Sequence, residues 1–141
     1  MTAAGCVFCA IVAGTAEAAI VLDDEVAIGF LDQRPLFPGH TLVVPRDHHE
    51  ALVDLPPDAV GPLFTRAQRV AAAVVEALGA QGSFVAMNNT VSQSVPHLHV
   101  HVVPRTKGDG LKGFFWPRTK YRDAAHMTEV ADRLRTALEQ S

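Results

Sequence analysis

The chain has 141 residues, a length that makes one domain and can bury about 68–70% of its unfolded surface without help from a disulfide or a metal. Hydrophobic residues at 48% and charged residues at 19% exclude global disorder, although the 21 alanines inflate the apolar share. A net charge of −3, from 12 basic and 15 acidic residues, excludes a strong global attraction for nucleic acid or an anionic membrane.

Met1 to Ala16 carry no charge, but the stretch is too short for a membrane span and is interrupted by Gly5, Cys6, Cys9 and Gly14. No basic segment precedes it, so a secretory signal is not expected. Ala3-Ala4-Gly5-Cys6 superficially resembles a lipoprotein cleavage box, yet the apolar segment of such a signal is missing. Two cysteines are too few for a disulfide scaffold, so the expectation is a cytoplasmic protein with reduced thiols.

Val26–Leu31 and His40–Arg46 are short, apolar and rich in β-branched residues, and both read as strands. Arg34 to Gly39 between them, with two prolines and a glycine, is turn chemistry, so the strands should pair antiparallel. Pro56 to Leu78 is the clearest helix. Its apolar stripe is Val60, Leu63, Phe64, Ala67, Ala71, Val74, Val75 and Leu78, with Gly79 as the stop. Pro62 is dissonant there, because it deletes a helical hydrogen bond unless it lies near the first turn. Ser83–Met87 and His97–Pro104 read as further strands, with a polar loop from Asn88 to Ser94 between them. Asp123–Glu139 reads as a second helix with Met127, Val130, Leu134 and Leu138 on one face. No linker or repeat divides the chain, so 1–141 is expected to be a single α+β domain with a mainly antiparallel sheet. Its 105–141 portion would be a basic loop and a helix. Six basic residues lie between Arg105 and Arg122 against Asp109 alone, which is a solvated loop or a phosphate-attracting rim.

His97-Leu98-His99-Val100-His101-Val102-Val103 is the most informative segment. Alternation along a strand puts His97, His99 and His101 on one face, about 7 Å apart, and Leu98, Val100 and Val102 on the other. Two chemistries could use three imidazoles in a row. They can hold a catalytic zinc with an open position for water. Alternatively, one neutral imidazole attacks an electrophile while its neighbours orient it and bind the developing anion. The spacing does not choose between them. Cys6 and Cys9 form a Cys-x-x-Cys knuckle, which a redox pair or a structural metal could use. The βαβ surroundings of a thioredoxin-like pair are missing.

The His-φ-His-φ-His-φ-φ run (φ, hydrophobic) resembles the signature of the histidine triad (HIT) superfamily. Gln93-Ser94-Val95 before it and Pro38-Gly39-His40-Thr41-Leu42-Val43-Val44-Pro45-Arg46-Asp47-His48 are similar to that family's other motifs. Cys6-Val7-Phe8-Cys9 followed by Phe30-Leu31-Asp32 resembles the opening of its bacterial members. The resemblance, from about Cys6 to Arg105, implies a HIT-like α+β fold with a sheet of about five strands and two helices. It implies a purine nucleotide-binding hydrolase or transferase that cleaves at the α-phosphate of a nucleoside phosphoramidate or dinucleoside polyphosphate. His99 would then carry a nucleotidyl-histidine intermediate. His101 and Ser94 would contact the phosphate, and His40 would orient the triad. Asp32 would hold the ribose hydroxyls, with Asn88 and Gln93 in the phosphate-side loop. Ser92 stands where the family's glycine is expected, and which of Asn88 and Asn89 faces the nucleotide stays open.

Similar bacterial proteins bind zinc, and the matching positions here are Cys6, Cys9, His48 and His97. His49 is the adjacent competitor of His48. Four protein ligands would close the site and make the metal structural. A homodimer is implied by resemblance alone. A nucleotide-binding regulator with little turnover and a triad-bound zinc hydrolase are the alternatives. His126 has no assigned role, and Phe114-Phe115-Trp116-Pro117 could serve as core, dimer contact or base-stacking surface.

Overall fold

The computed structural model describes residues 2–111 and 118–140. The chain forms two compact units, Met1–Asp109 and Gly110–Ser141. Phe114 to Pro117 lie outside the described residues, so no role is assigned to them.

The first unit contains α1 (Val7–Ala13), β1 (Ile20–Asp23), β2 (Ala27–Leu31), β3 (Thr41–Pro45), a 3-10 turn (Leu52–Asp54), α2 (Pro57–Leu78), β4 (Gly82–Ala86) and β5 (Val100–Arg105). The five strands make one sheet in the order β1-β2-β3-β5-β4, and every neighbouring pair is antiparallel. The α+β architecture with a mainly antiparallel five-stranded sheet is thus as expected. The third α-helix is α1, which the sequence did not reveal. Seven residues hold less than two turns, too few to show a helical period.

Both faces of the sheet are covered, and the strands sort their side chains by alternation. Ala27, Val43, Leu98, Val100 and Val102 face α2, where Leu63, Ala67, Val70 and Val74 complete the larger core. Ile28, Phe30, Leu42 and Val44 face the other way and pack with Phe8 and Ile11 of α1. The α2 stripe differs from expectation at its edges: Val70 is buried, while Val75 and Leu78 are exposed. Pro62 sits inside the continuous α2, whose first residue is Pro57 and whose stop is Gly79 in the left-handed conformation.

Strand β5 starts at Val100, so His97 and His99 lie just ahead of the ladder rather than in it. The last β3–β5 pair is Val43 with Val100. Pro45 lies beyond it and has no N–H to donate, which favours the ladder ending there. The Leu98 N–H donates instead to the His49 carbonyl at 2.7 Å. Alternation survives this departure, because Leu98, Val100 and Val102 remain in the α2-side core.

The second unit's described part is α3 (Ala124–Glu139), capped by the Asp123 carboxylate, which accepts from the His126 N–H at 2.7 Å. Met127, Leu134 and Leu138 are exposed on it. Among the described residues no helix is long and apolar enough to cross a membrane.

Candidate active site and metal cluster

The loop between β2 and β3 turns back so that the Asp32 N–H donates to the His40 carbonyl at 2.9 Å. Gly39 makes that return possible. Its φ is 99°, and a β-carbon there would collide with Leu78 and crowd Pro104. His40 is consequently held beside β5, and its Nε2 lies 2.9 Å from Nδ1 of His101.

The protons in this relay follow from its fixed end. The Leu36 N–H donates to His40 Nδ1 at 3.1 Å, so that nitrogen carries no proton. A neutral His40 therefore has its proton on Nε2 and donates it to His101 Nδ1. His101 in turn keeps its own proton on Nε2. Burial pushes the His101 pKa down to about 4, with His99 and His40 adding to the shift and Asp32 opposing it. Burial also lowers His40, against the pull of the Asp32 carboxylate at 3.8 Å. Both rings are neutral at pH 7, as the relay requires.

His99 is fixed by a different partner. Its Nδ1 lies 2.8 Å from the His97 carbonyl oxygen, which can only accept, so Nδ1 carries the proton. In the neutral ring the lone pair is then on Nε2. The ring packs 5.0 Å from His101 and edge-on to Phe8 at 5.1 Å.

His99 and His101 line a cavity of about 230 Å³. Asp32 and Ser94 join them at its polar end, and Val7, Phe8, Ile11, Phe30 and Leu42 form an apolar wall. Asp32 already accepts from the Arg34 N–H at 2.9 Å, which holds its carboxylate without exhausting its lone pairs. Asn88 and Gln93 are not among the lining residues. The Asn88 amide donates to the Ser92 carbonyl. The Gln93 amide donates to the Glu50 carbonyl and accepts from the Thr90 N–H. Asn89 accepts from the Leu52 N–H at 2.7 Å, bracing the neighbouring turn. Thr90 and Ser92 have φ of 68° and 61°, so this loop holds a tight course that glycine would adopt more easily. Arg105 of the basic tract is paired with Asp109 at 2.6 Å.

Sequence reasoning missed Phe8 and Phe30 as cavity walls. The clues were available: Phe8 lies between the two cysteines, and Phe30 lies two residues before Asp32. A larger apolar groove of about 680 Å³ lies between β1, β2 and the C-terminal half of α2. Among the described residues Arg69 is the sole charged one that lines it, and none of the histidines does.

His97 points to the other side of the triad. It is fully buried, its Nε2 donates to the Pro45 carbonyl at 3.0 Å, and its Nδ1 lies 3.5 Å from the Sγ atoms of both Cys6 and Cys9. His48 Nδ1 lies 3.3 Å from Cys9 Sγ. All four ligand atoms fall within 4.8 Å of one another. Bond lengths of about 2.3 Å to sulfur and 2.0–2.1 Å to nitrogen at tetrahedral angles put S and N about 3.6 Å apart. The donor set and its spacing therefore fit a tetrahedral zinc. Burial raises the Cys9 thiol pKa, and the neighbouring Cys6 adds to this, while the Ala3 N–H works against it. His48 rather than His49 is the residue brought to the cluster. The three triad rings do not converge on one point, since His97 faces the cysteines and His101 faces His40.

A buried histidine relay beside a half-open cavity, on a five-stranded antiparallel sheet, defines a small α+β protein. The HIT domain family matches residues 13–108, and the chain belongs to that family. An uncharacterised HIT-like protein of Mycobacterium tuberculosis is 40% identical over 84% of this chain and 86% of its own length. The crystal structure of a zinc-bound histidine triad family protein from Mycobacterium smegmatis is 40% identical and superposes with a TM-score of 0.74, covering 94% of this chain and 97% of that one. Two more distant relatives have an activity in their names. They are an adenylylsulfatase of Arabidopsis thaliana (32% identical, 75% of this chain, 55% of that one) and an asymmetrical bis(5'-nucleosyl)-tetraphosphatase of Schizosaccharomyces pombe (34% identical, 60% and 48%).

Proposed function

We propose that the protein is a nucleotidyl hydrolase or transferase that cleaves at the α-phosphate of a purine nucleotide through an intermediate on His99. The observation that carries this reading is the fixed tautomer of His99: its Nδ1–H donates to the His97 carbonyl, which leaves the Nε2 lone pair for the cavity. Nε2 attacks the α-phosphorus, and the bond to the leaving group breaks with its electron pair on the departing group, an amine taking up a proton from solvent as it leaves. Water then attacks the same phosphorus and gives up a proton to solvent, the P–N bond breaks, and the pair returns to Nε2. The Nε2–H of His101 donates to a non-bridging oxygen of the phosphate as charge develops there, and Ser94 contacts the same group. His40 holds the His101 tautomer. Asp32 accepts from the ribose hydroxyls, and the Phe8–Phe30 wall takes the base.

The cavity is smaller than the 300–1,000 Å³ typical of drug-sized ligands, so it takes one nucleoside and leaves the departing group toward solvent. That suits phosphoramidates and dinucleoside polyphosphates alike. Zinc on Cys6, Cys9, His48 and His97 would be closed to substrate and supply structure alone, anchoring α1 and the His97 ring. A Cys-x-x-Cys pair set to hold a metal rather than a disulfide supports a cytoplasmic setting, and the family resemblance supports a homodimer. A zinc held by all three triad histidines is disfavoured by the divergence of His97 and His101. A cation among Asp32, His40 and His101 is disfavoured because His40 Nε2 already carries a proton.

The test is the His99→Asn variant assayed on adenosine and guanosine phosphoramidates and on diadenosine polyphosphates. Loss of turnover with AMP binding retained supports the reading. Full activity in the variant contradicts it, and tight binding without turnover in the wild type favours the regulatory alternative.

A further inference from the structure

We propose that Phe8 is a positioning residue through which the Cys6–Cys9–His48–His97 cluster and the histidine at the cavity control one another. The proposal rests on the reading that the cluster holds zinc and the cavity holds a nucleotide. Phe8 lies between Cys6 and Cys9 in sequence, directly beside Cys9, while its own ring lines the cavity. The ring is buried and packs edge-on to His97 at 5.9 Å and 71°, to His99 at 5.1 Å and 84°, and to Phe30 at 5.3 Å and 66°. It therefore touches a cluster residue, the proposed nucleophile and the Phe30 ring of the same cavity wall at once. A Phe edge carries positive charge, and contacts of this geometry are favourable and directional.

The helix that carries Phe8 cannot hold it in place alone. α1 has seven residues, and helices under about 12–15 residues are marginal by themselves. Its N-cap acceptor is Cys6 Sγ, which takes the Cys9 N–H at 3.3 Å. A cation binding both sulfurs fixes that first turn and the ring that hangs from it. Release of the cation frees the turn, and the ring loses its fixed place against His99. Linkage makes the effect reciprocal: a nucleotide that packs on Phe8 must tighten metal binding by the same factor that the metal strengthens nucleotide binding.

Two measurements on wild type, Phe8→Leu and Phe8→Met test this. The first is zinc affinity by equilibrium competition with a chelator, with and without saturating AMP. The expected result is tightening by about fivefold or more in the wild type, the lower end of ordinary coupling, and little tightening in the variants. The second needs no nucleotide: solvent exchange of the His99 Nδ1 proton by NMR, with zinc and after its removal. Exchange should accelerate on zinc removal in the wild type, and the change should be much smaller in Phe8→Leu. Phe8→Met serves if Phe8→Leu does not fold, since it fills similar volume without the ring. If AMP fails to bind, the nucleotide reading falls while the exchange measurement still decides this one. Equal zinc sensitivity of His99 in all three proteins would overturn the proposal and leave the His97 backbone as the link. No zinc sensitivity in the wild type would overturn it as well.

Discussion

Replacing His40 by phenylalanine tests the histidine relay. The substitution keeps a buried ring of similar size at a position that is 3% exposed. It deletes the acceptor of the Leu36 N–H and the donor to His101 Nδ1. Each group left unsatisfied costs about 1–3 kcal/mol, so the variant should lose about 2–6 kcal/mol of stability. The consequence for chemistry is separate. Without the His40 donor, His101 is free to move its proton to Nδ1, and the hydrogen bond that opposed this was worth about 0.5–1.5 kcal/mol. The ratio of productive to unproductive tautomer should fall by about two- to thirteenfold, and kcat/KM should fall by no more than that factor. Urea denaturation reads the first effect, and initial rates on a nucleoside phosphoramidate read the second. Unchanged kcat/KM would refute the relay. A fall of four orders of magnitude would refute it in the other direction, making His40 a direct participant.

His101 sets a pH dependence. Its pKa is depressed from 6.5 to about 4, so between those values the unfolded chain binds more protons and stability rises with pH. The His101 contribution is complete above pH 6.5 and is lost as pH falls toward 4. The Tm difference between wild type and His101→Gln should therefore shrink on acidification over that range, and a constant difference would contradict the assignment. Asp32→Ala should raise KM for nucleotide substrates more than it lowers kcat, because a ribose contact acts in ground and transition states alike. Extraction of zinc should lower Tm while leaving one cooperative transition by circular dichroism, since the α2-side core does not involve the cluster. Leu98→Ala, at a position 1% exposed in that core, should cost about 2–5 kcal/mol in denaturant titration.

Much of the site was legible because it depends on short-range alternation. Leu98, Val100 and Val102 face α2 and the histidines face away, as period two requires, even though the ladder ends before His99. The Pro-Gly-His segment likewise marked a turn that places His40. The limits have physical causes. α1 and β1 are too short for periodicity to register. Which nitrogen of each histidine is free depends on distant backbone partners: Leu36 for His40, the His97 carbonyl for His99 and Pro45 for His97. Asn88 and Gln93 look like ligand groups in sequence, but the strained turn at Thr90 and Ser92 draws both into bracing the loop.

The central claim is that His99 becomes covalently nucleotidylated, and rapid quenching tests it most directly. Wild-type protein mixed with a nucleoside phosphoramidate, quenched within the first turnover and examined by peptide mass spectrometry should carry one nucleoside monophosphate on the imidazole of His99. An adduct on another residue would contradict the account, and so would substrate turnover with no adduct at any quench time.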